Sequence, residues 1–266
     1  LTTLAVPTAE CLSASVRSLS SPTSTVVTID QMLYAGNNTC VCDYRDDVDY
    51  FPVKLEQNYA AEFSVTYHKS YKLVNITATP DSPLVLYQCG TPPPNLTDTY
   101  PSATYIQIPI KRAMVASTTF IPWIEFIGER HSIVAVSQIG TVSSPCIQKR
   151  FFESDDIVDV DNPSTWSIDD ALLDDANVDV AFCSFGWGCP LSSPNVVSVP
   201  VRAQQETSVL GEAEHVEFFS LFYNREEAAT DVVDNVDRRF QCAKTYVPQS
   251  PRPTVLWANY YNGWYV

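Results

Sequence analysis

The sequence predicts an α/β fold with a parallel sheet, preceded by a β-rich segment and followed by long helices. Short apolar runs at Met114–Ala116, Ile133–Val136 and Val196–Val199 are separated by stretches of helical character, as in strands buried on both faces of a parallel sheet. Residues 50–103 instead show β-type alternation and many turn residues. Amphipathic spacing over residues 208–247 predicts two helices after the sheet.

The first half of the chain divides into two segments. Residues 1–49 are rich in Ser, Thr and Asp with little periodicity, so we interpret them as an extension held by disulfides. The cysteines expected to hold it are Cys11, Cys40 and Cys42. Within residues 50–103, Phe63–Tyr67 alternates cleanly and Leu84–Tyr87 is a short apolar strand.

The turn after the strand Met114–Ala116 is polar. Its residues, Ser117, Thr118 and Thr119, have side chains that cap helices, and we expect a helix from Phe120 to Ile127. Gly128 is placed to end it, since glycine readily takes the left-handed conformation.

Two further capping patterns follow along the chain. Ser167–Asp170 has capping-box spacing before a short helix through Leu173, which leads into a strand at Val178–Phe182. Asn224, with Glu227 three residues on, predicts the start of the second long helix after one at Ser208–Tyr223.

The C-terminal segment differs again. Pro248–Pro253 breaks the chain, and Thr254–Trp257 is predicted to open a strand of a second lobe whose remainder lies outside this sequence. The predicted organisation is 1–49 extension, 50–103 β-rich segment, 104–207 α/β ligand-binding lobe, 208–247 connecting helices and 253–266 first strand of a second lobe.

Composition excludes several classes of function. The chain has 266 residues, 45% of them hydrophobic, and a formal net charge of -15. Such an acidic surface repels phosphate backbones and anionic membranes, so we expect no nucleic-acid partner. No run of apolar residues is long enough for a membrane span.

Secretion is expected from the cysteines, the acidity and the glycan acceptor sequences together. Eight cysteines fit an oxidising compartment, and Cys183 and Cys189 bracket a short loop as the best local disulfide, with the other pairings left open. Because the chain starts at Leu1, we expect that a signal peptide has been removed. The expected glycosylation sites are Asn37, Asn75 and Asn95.

Several segments resemble those of class III periplasmic-type substrate-binding proteins. Lys111–Thr119 resembles the family's "KRVVxLSTT" opening, and Glu206–Glu214 is similar to "ETTPLGRAEW". Phe219–Phe240 resembles the connecting helix, and Pro253–Leu256 is similar to the entry into the second lobe. The order and spacing of these segments over residues 50–266 carry the resemblance.

The resemblance implies two Rossmann-like α/β lobes joined by a long helix, with a ligand held between them. Members bind ferric siderophores, haem, cobalamin or metal ions and usually deliver them to an ABC importer. Two departures matter: Ser137–Ser144 contains no carboxylate where importer docking would use one, and most of the second lobe is missing.

Candidate ligand residues follow from the rule that open α/β sheets bind ligands at the carboxyl ends of their strands. They are Ser117, Thr118, Thr119, Gln138, Phe185, Trp187, Gln205 and Glu206, with Trp257, Tyr260 and Trp264 from the second lobe. Two alternative roles stay open: packing over a disulfide for Trp187, and helix capping for Thr118 and Thr119.

Metal and enzyme chemistry have little support. His68, His131 and His215 share no ligand spacing, and the chain has no phosphate-binding loop, dinucleotide turn, metalloprotease helix or nucleophile elbow. We therefore expect a non-catalytic extracellular binder of a metal chelate, either a ferric siderophore or cobalamin, with a transporter, surface receptor or self-assembly partner. The alternative is an extracellular structural or assembly protein built on such a lobe that no longer binds ligand.

Overall fold

The computed structural model describes residues 40–154, 156–162, 167–184, 191, 193–246, 254–256, 258, 260–261 and 264–265. These residues fall into two compact units, one ending at Val236 and the other starting at Asp237. We describe each unit by itself.

The N-terminal part of the first unit is a four-stranded sheet, as the alternation over residues 50–103 predicted. Its strands are β1 (Phe63–Tyr67), β2 (Tyr71–Ile76), β3 (Leu84–Gln88) and β4 (Thr104–Ile108). They lie in the order β1-β2-β3-β4, antiparallel except for the parallel pair β3–β4.

A disulfide between Cys40 and Cys89 holds the preceding segment against the end of β3. The amide of Val41 also donates to the Cys89 carbonyl at 2.8 Å. Gly90 follows with φ +81°, and a Cβ there would stand 2.0 Å from the carbonyl oxygen of Val41, so only glycine allows this approach.

The second sheet is the predicted parallel sheet. Its strands are β5 (Ala113–Val115), β6 (Ile133–Val136), β7 (Val158–Asp159), β10 (Val180–Ser184) and β11 (Val197–Val201). All pairs are parallel, in the order β11-β10-β5-β6-β7. A short antiparallel pair, β8 (Asp161–Asn162) and β9 (Ser167–Ile168), lies after β7. The mixed α/β fold class is therefore confirmed.

Helices surround this sheet. They are α1 (Ile121–Phe126), α2 (Pro145–Lys149), α3 (Asp170–Asp175), α4 (Val209–Ser220) and α5 (Glu226–Thr245), with a π-helical turn at Arg150–Ser154. Among the described residues none of these helices is long and apolar enough to cross a membrane.

Alternate residues of the parallel strands enter two different cores. Val115 and Phe182 belong to the larger core, which also takes side chains from the four-stranded sheet, α1 and α4. Met114 and Ala181 face the other way, into a smaller core that includes Leu173 of α3. Burial on both faces explains why the strands read as continuous apolar runs.

The three capping predictions were wrong in detail, although a helix follows each site. Ser117 flanks a 3₁₀ turn at Thr118–Phe120 but makes no side-chain cap bond. The cap of α3 is Asp169, not Ser167, because Ser167 pairs within β9 and Asp169 Oδ1 accepts from two amides of the first turn.

Asn224 does not cap α5 either. It takes a left-handed conformation with φ 55°, and its side chain is used elsewhere: the amide nitrogen donates to Gln88 at 2.8 Å and the oxygen accepts from Lys72 at 2.8 Å. The helix begins two residues later, at Glu226. By contrast Ser208 caps α4, with Oγ accepting from the Gly211 amide at 2.9 Å.

The predicted strand at Thr254–Trp257 was wrong where it can be compared. Thr254–Leu256 has no strand pairing, and Trp257 lies outside the described residues. Val255 and Leu256 are 76% and 86% exposed, and they pair with no strand in the part of the chain that the structure describes. The second unit instead forms a short antiparallel pair, β12 (Tyr260–Tyr261) and β13 (Trp264–Tyr265).

Candidate functional site

The strand order places a topological switch point between β5 and β10. From β5 the chain moves to β6 and β7 on one side of the sheet, and it then returns to the other side for β10 and β11. In open α/β sheets, the carboxyl edge at such a switch point is where ligands bind, and we call this position between β5 and β10 the switch-point crevice.

The exit of β5 forms one wall of this crevice. The Ala116 amide donates to the Phe182 carbonyl of β10 at 3.0 Å, which joins the end of β5 to its neighbouring strand. Ser117 and Thr119 then place their hydroxyls 2.9 Å apart. Because the 3₁₀ turn does not use these hydroxyls as caps, they are left at the surface of the crevice, half-buried at Ser117 and Thr118 and exposed at Thr119.

The exit of β11 approaches the same place. A 3₁₀ turn at Ala203–Gln205 follows the strand, and Gln204 Nε2 lies 3.5 Å from Thr119 Oγ1. The side-chain oxygen of Gln205 is buried and has no hydrogen-bond partner among the described residues. An unpaired buried amide oxygen costs roughly 1 to 3 kcal/mol, so this oxygen is a candidate acceptor for a donor outside the described residues.

Gln138 lies one strand further along the same edge, after β6. It has φ 58°, and the Asp159 carboxylate holds this strained turn by accepting from the amides of Gln138 and Ile139 at 3.1 and 3.0 Å. The side chain of Gln138 is exposed, so the residue lies at the rim of the edge rather than at the switch point.

Glu206 has a different environment from its predicted neighbours. Its side chain is only 1% exposed, and Oε1 accepts from the amides of Ala61 and Glu62 at 3.0 Å each. The carboxylate is thus bound to the segment before β1, inside the protein.

Sequence reasoning missed the residue beside it, Glu214. This fully buried carboxylate on α4 accepts from three successive amides, those of Asn58, Tyr59 and Ala60, at 2.8, 2.8 and 2.5 Å. Together the two glutamates satisfy five consecutive backbone N–H groups with no ladder partner. The sequence signal that could have revealed this role is that the spacing of apolar residues in α4 places Glu214 on the buried side of the helix.

His215 and Glu217, also on α4, are buried beside these glutamates. Burial lowers the pKa of His215, whose Nδ1 lies 3.2 Å from the Gly211 carbonyl and 3.7 Å from Glu206. Burial, together with the negative charges of Glu214 and Asp234, raises the pKa of Glu217 to about 8. Glu217 is therefore mainly protonated at neutral pH, and α4 carries less charge than its sequence suggests.

The remaining predicted residues divide into two groups. Phe185, Trp187 and Cys189 follow β10 and lie outside the described residues, as do Trp257 and Asn37. Cys183 is disulfide-bonded, but its pairing with Cys189 stays a prediction. Tyr260 and Trp264 lie in β12 and β13 of the second unit.

The two described sequons differ in accessibility. Asn95 is exposed, and its Oδ1 accepts from the Thr97 hydroxyl at 2.8 Å. Asn75 is half-buried within β2, where it pairs with Ser64 of β1. Glycosylation of either residue stays a prediction.

Chemically, the crevice offers neutral hydroxyl and amide groups. Ser117 and Thr119 make no hydrogen bond to an imidazole or carboxylate among the described residues, so neither has a base to activate it there. The described part of the chain also contains no cluster of three His, Cys, Asp or Glu residues that could hold a metal ion.

No family model matches the chain, and no curated protein is similar to it. The structure is similar to parts of several solved periplasmic binding proteins. A possible iron-binding (periplasmic solute-binding) protein from Staphylococcus epidermidis is 16% identical, with 53% of each chain covered and a TM-score of 0.40. A periplasmic heme-binding protein from Pseudomonas aeruginosa is 15% identical over 50% of this chain and 45% of that one, with a TM-score of 0.39.

The periplasmic vitamin B12 binding protein of Vibrio cholerae is 15% identical over 52% of this chain and 51% of that one, with a TM-score of 0.38. The chain spans about half the length of each of these structures.

Proposed function

We propose that this chain binds a small molecule in the switch-point crevice and performs no bond chemistry on it. The observation that carries the proposal is the buried oxygen of Gln205, which has no partner among the described residues and belongs to the turn whose Gln204 reaches Thr119. A site made of neutral donors and acceptors suits recognition, because it orients a ligand without supplying a nucleophile or a proton carrier.

The proposed ligand is a metal chelate, either a ferric siderophore or cobalamin. Ser117, Thr118, Thr119 and Gln205 would bond to its polar periphery, with Gln138 at the rim. Phe185 and Trp187, in the loop after β10, would stack on its rings. Trp257, Tyr260 and Trp264 would be the second lobe's contribution. Glu206 stabilises the segment before β1 and has a supporting role.

The expected location is extracellular or periplasmic. The Cys40–Cys89 disulfide supports an oxidising compartment, and the exposed Asn95 is the described sequon best placed to carry a glycan. A transporter or surface receptor would then accept the ligand from the protein.

Equilibrium dialysis of the full chain against ferrioxamine and cyanocobalamin tests the proposal, with bound chelate read from its visible absorbance. Thr118→Trp would fill the crevice and should abolish binding. Thr99→Trp, at an exposed position in the loop between β3 and β4, is the matched control and should bind as the unaltered chain does. Equal binding by both variants would place the ligand elsewhere, and binding of neither chelate would reject this ligand class.

A structural or assembly role is the second candidate, and one observation favours it. Phe126 and Phe152 are 62% and 74% exposed, and the thiols of Cys42 and Cys146 are free and exposed. Exposed aromatic side chains are common at protein interfaces. Sedimentation of the chain with and without a reductant would reveal assemblies that depend on either feature.

A further inference from the structure

A second concave site lies at the opposite, amino edge of the parallel sheet. It is a groove with a volume of ≈ 460 Å³. Its walls come from the segments that enter the strands: Arg112 directly precedes β5, His131 precedes β6, Asp156 precedes β7 and Ala176 lies ahead of β10. The groove is therefore separated from the switch-point crevice by the length of the strands.

Four apolar residues contribute to the lining of the groove. Val134 and Val158 contribute from β6 and β7, while Leu172 and Ala176 contribute from α3 and the residue that follows it. Leu172 is 36% exposed, so its side chain is accessible from the groove. The volume is within the range of small-molecule sites in proteins, about 300 to 1,000 Å³.

Two guanidinium groups are held in place around these apolar residues. Arg112 Nε donates to the Ala176 carbonyl at 2.7 Å, and Arg150 Nη1 donates to the Arg130 carbonyl at 2.8 Å. A carbonyl fixes the orientation of a guanidinium and leaves its positive charge uncompensated, so the remaining N–H groups are available to an anion.

The two arginines differ in charge balance. Arg150 Nε also bonds to Asp156 at 3.1 Å, which neutralises it. Arg112 forms no ion pair with any residue that the structure describes. This is notable because acidic residues outnumber Lys and Arg by 31 to 16 in this chain.

We propose that the groove binds a small organic monoanion with an apolar body, such as an amphipathic carboxylate. The anionic group would bond to Arg112, and the apolar body would cover Val134 and Leu172. A second negative charge would be repelled by Asp156 and Asp175, which also line the groove, and by the net charge of the chain. The site thus selects against polyanions as well as against small ions that lack an apolar body.

Fluorescence titration of the full chain with anilinonaphthalene sulfonate, an aromatic monoanion, tests the inference. Arg112→Gln should weaken binding about tenfold or more, because a hydrogen bond to a charged group is lost. Arg45→Gln changes the net charge equally at an exposed site remote in sequence and should bind as the unaltered chain does. Leu172→Glu, at a position that is 36% exposed, places a negative charge in the groove and should weaken binding at least as much.

Competition experiments define the ligand class. Octanoate should displace the probe, whereas acetate, which has no apolar body, and citrate, which carries several charges, should not displace it at the same concentration. The inference is overturned if the two groove variants retain the affinity of the unaltered chain, or if acetate or citrate competes as well as octanoate.

Discussion

Two polar regions of this protein differ in the charge of their side chains and in how completely their hydrogen-bonding groups are paired. Beneath the four-stranded sheet, Glu206 and Glu214 satisfy five backbone amides, and Lys72 is paired with Glu226. At the switch point of the parallel sheet, Ser117, Thr119 and Gln205 are neutral, and the buried oxygen of Gln205 has no described partner. The charged groups hold the architecture together, and the neutral groups form the site that we propose for a ligand.

The first region tolerates charge because each charged group has its partners. Lys72 is fully buried, and its ammonium lies 2.5 Å from Glu226 and 2.8 Å from the Leu221 carbonyl and the Asn224 side chain. Burial lowers the pKa of Lys72, and the adjacent Glu226 opposes this shift. A charge buried without such partners would be strongly unfavourable.

Removing one member of the Lys72–Glu226 pair should have the largest effect. Lys72→Met leaves Glu226 buried without a counter-charge and should lower the free energy of unfolding by about 3 to 5 kcal/mol. Adding Glu226→Leu should restore much of the loss, since neither charge then remains. Urea denaturation of both variants measures this, and a double variant no more stable than the single one would refute the pairing as the cause.

Glu214→Gln should be the next most destabilising change, by roughly 3 kcal/mol. The glutamine side chain has one acceptor oxygen, so its amide group would face N–H donors of residues 58–60 that it cannot satisfy. Glu212→Gln, on the same helix but exposed, is the control and should change stability little. Equal losses of stability for the two variants would show that the hydrogen bonds from the backbone to Glu214 do not contribute to stability.

Glu217 should make stability depend on pH. Its pKa is raised from 4.5 to about 8, so the folded state binds a proton that the unfolded state has released. Stability should therefore fall as pH rises between these values, by at most about 1.4 kcal/mol per pH unit. Glu217→Gln should flatten this slope and be the more stable form at pH 8. If stability depended on pH equally in the variant and in the unaltered chain, Glu217 would have an ordinary pKa.

The sequence predicted the sheets better than the buried polar contacts. The parallel strands are apolar on both faces, so runs such as Ile133–Val136 could be recognised without any tertiary information. Caps were harder, because the Asn224 side chain bonds to Gln88, a tertiary partner that a local pattern does not reveal. Glu206 looked like a ligand residue for the same reason: its partners lie about 145 residues earlier in the chain.

The candidate site was predictable in position more than in chemistry. Open α/β sheets bind ligands at the carboxyl ends of their strands, and this rule selected Ser117–Thr119 and Gln205 from the strand pattern alone. It could not show that the Gln205 oxygen lacks a partner, because this depends on how the turn after β11 packs.

Gln205→Leu tests most directly whether the switch-point crevice is a binding site. Leucine removes the unpaired oxygen, so the melting temperature should stay the same or rise, while affinity for the bound chelate should fall about tenfold. Gln148→Leu is the matched control, since Gln148 Nε2 donates to the Val142 carbonyl at 2.6 Å, and it should lose stability and keep its affinity. A Gln205→Leu variant that loses stability and binds normally would contradict the account.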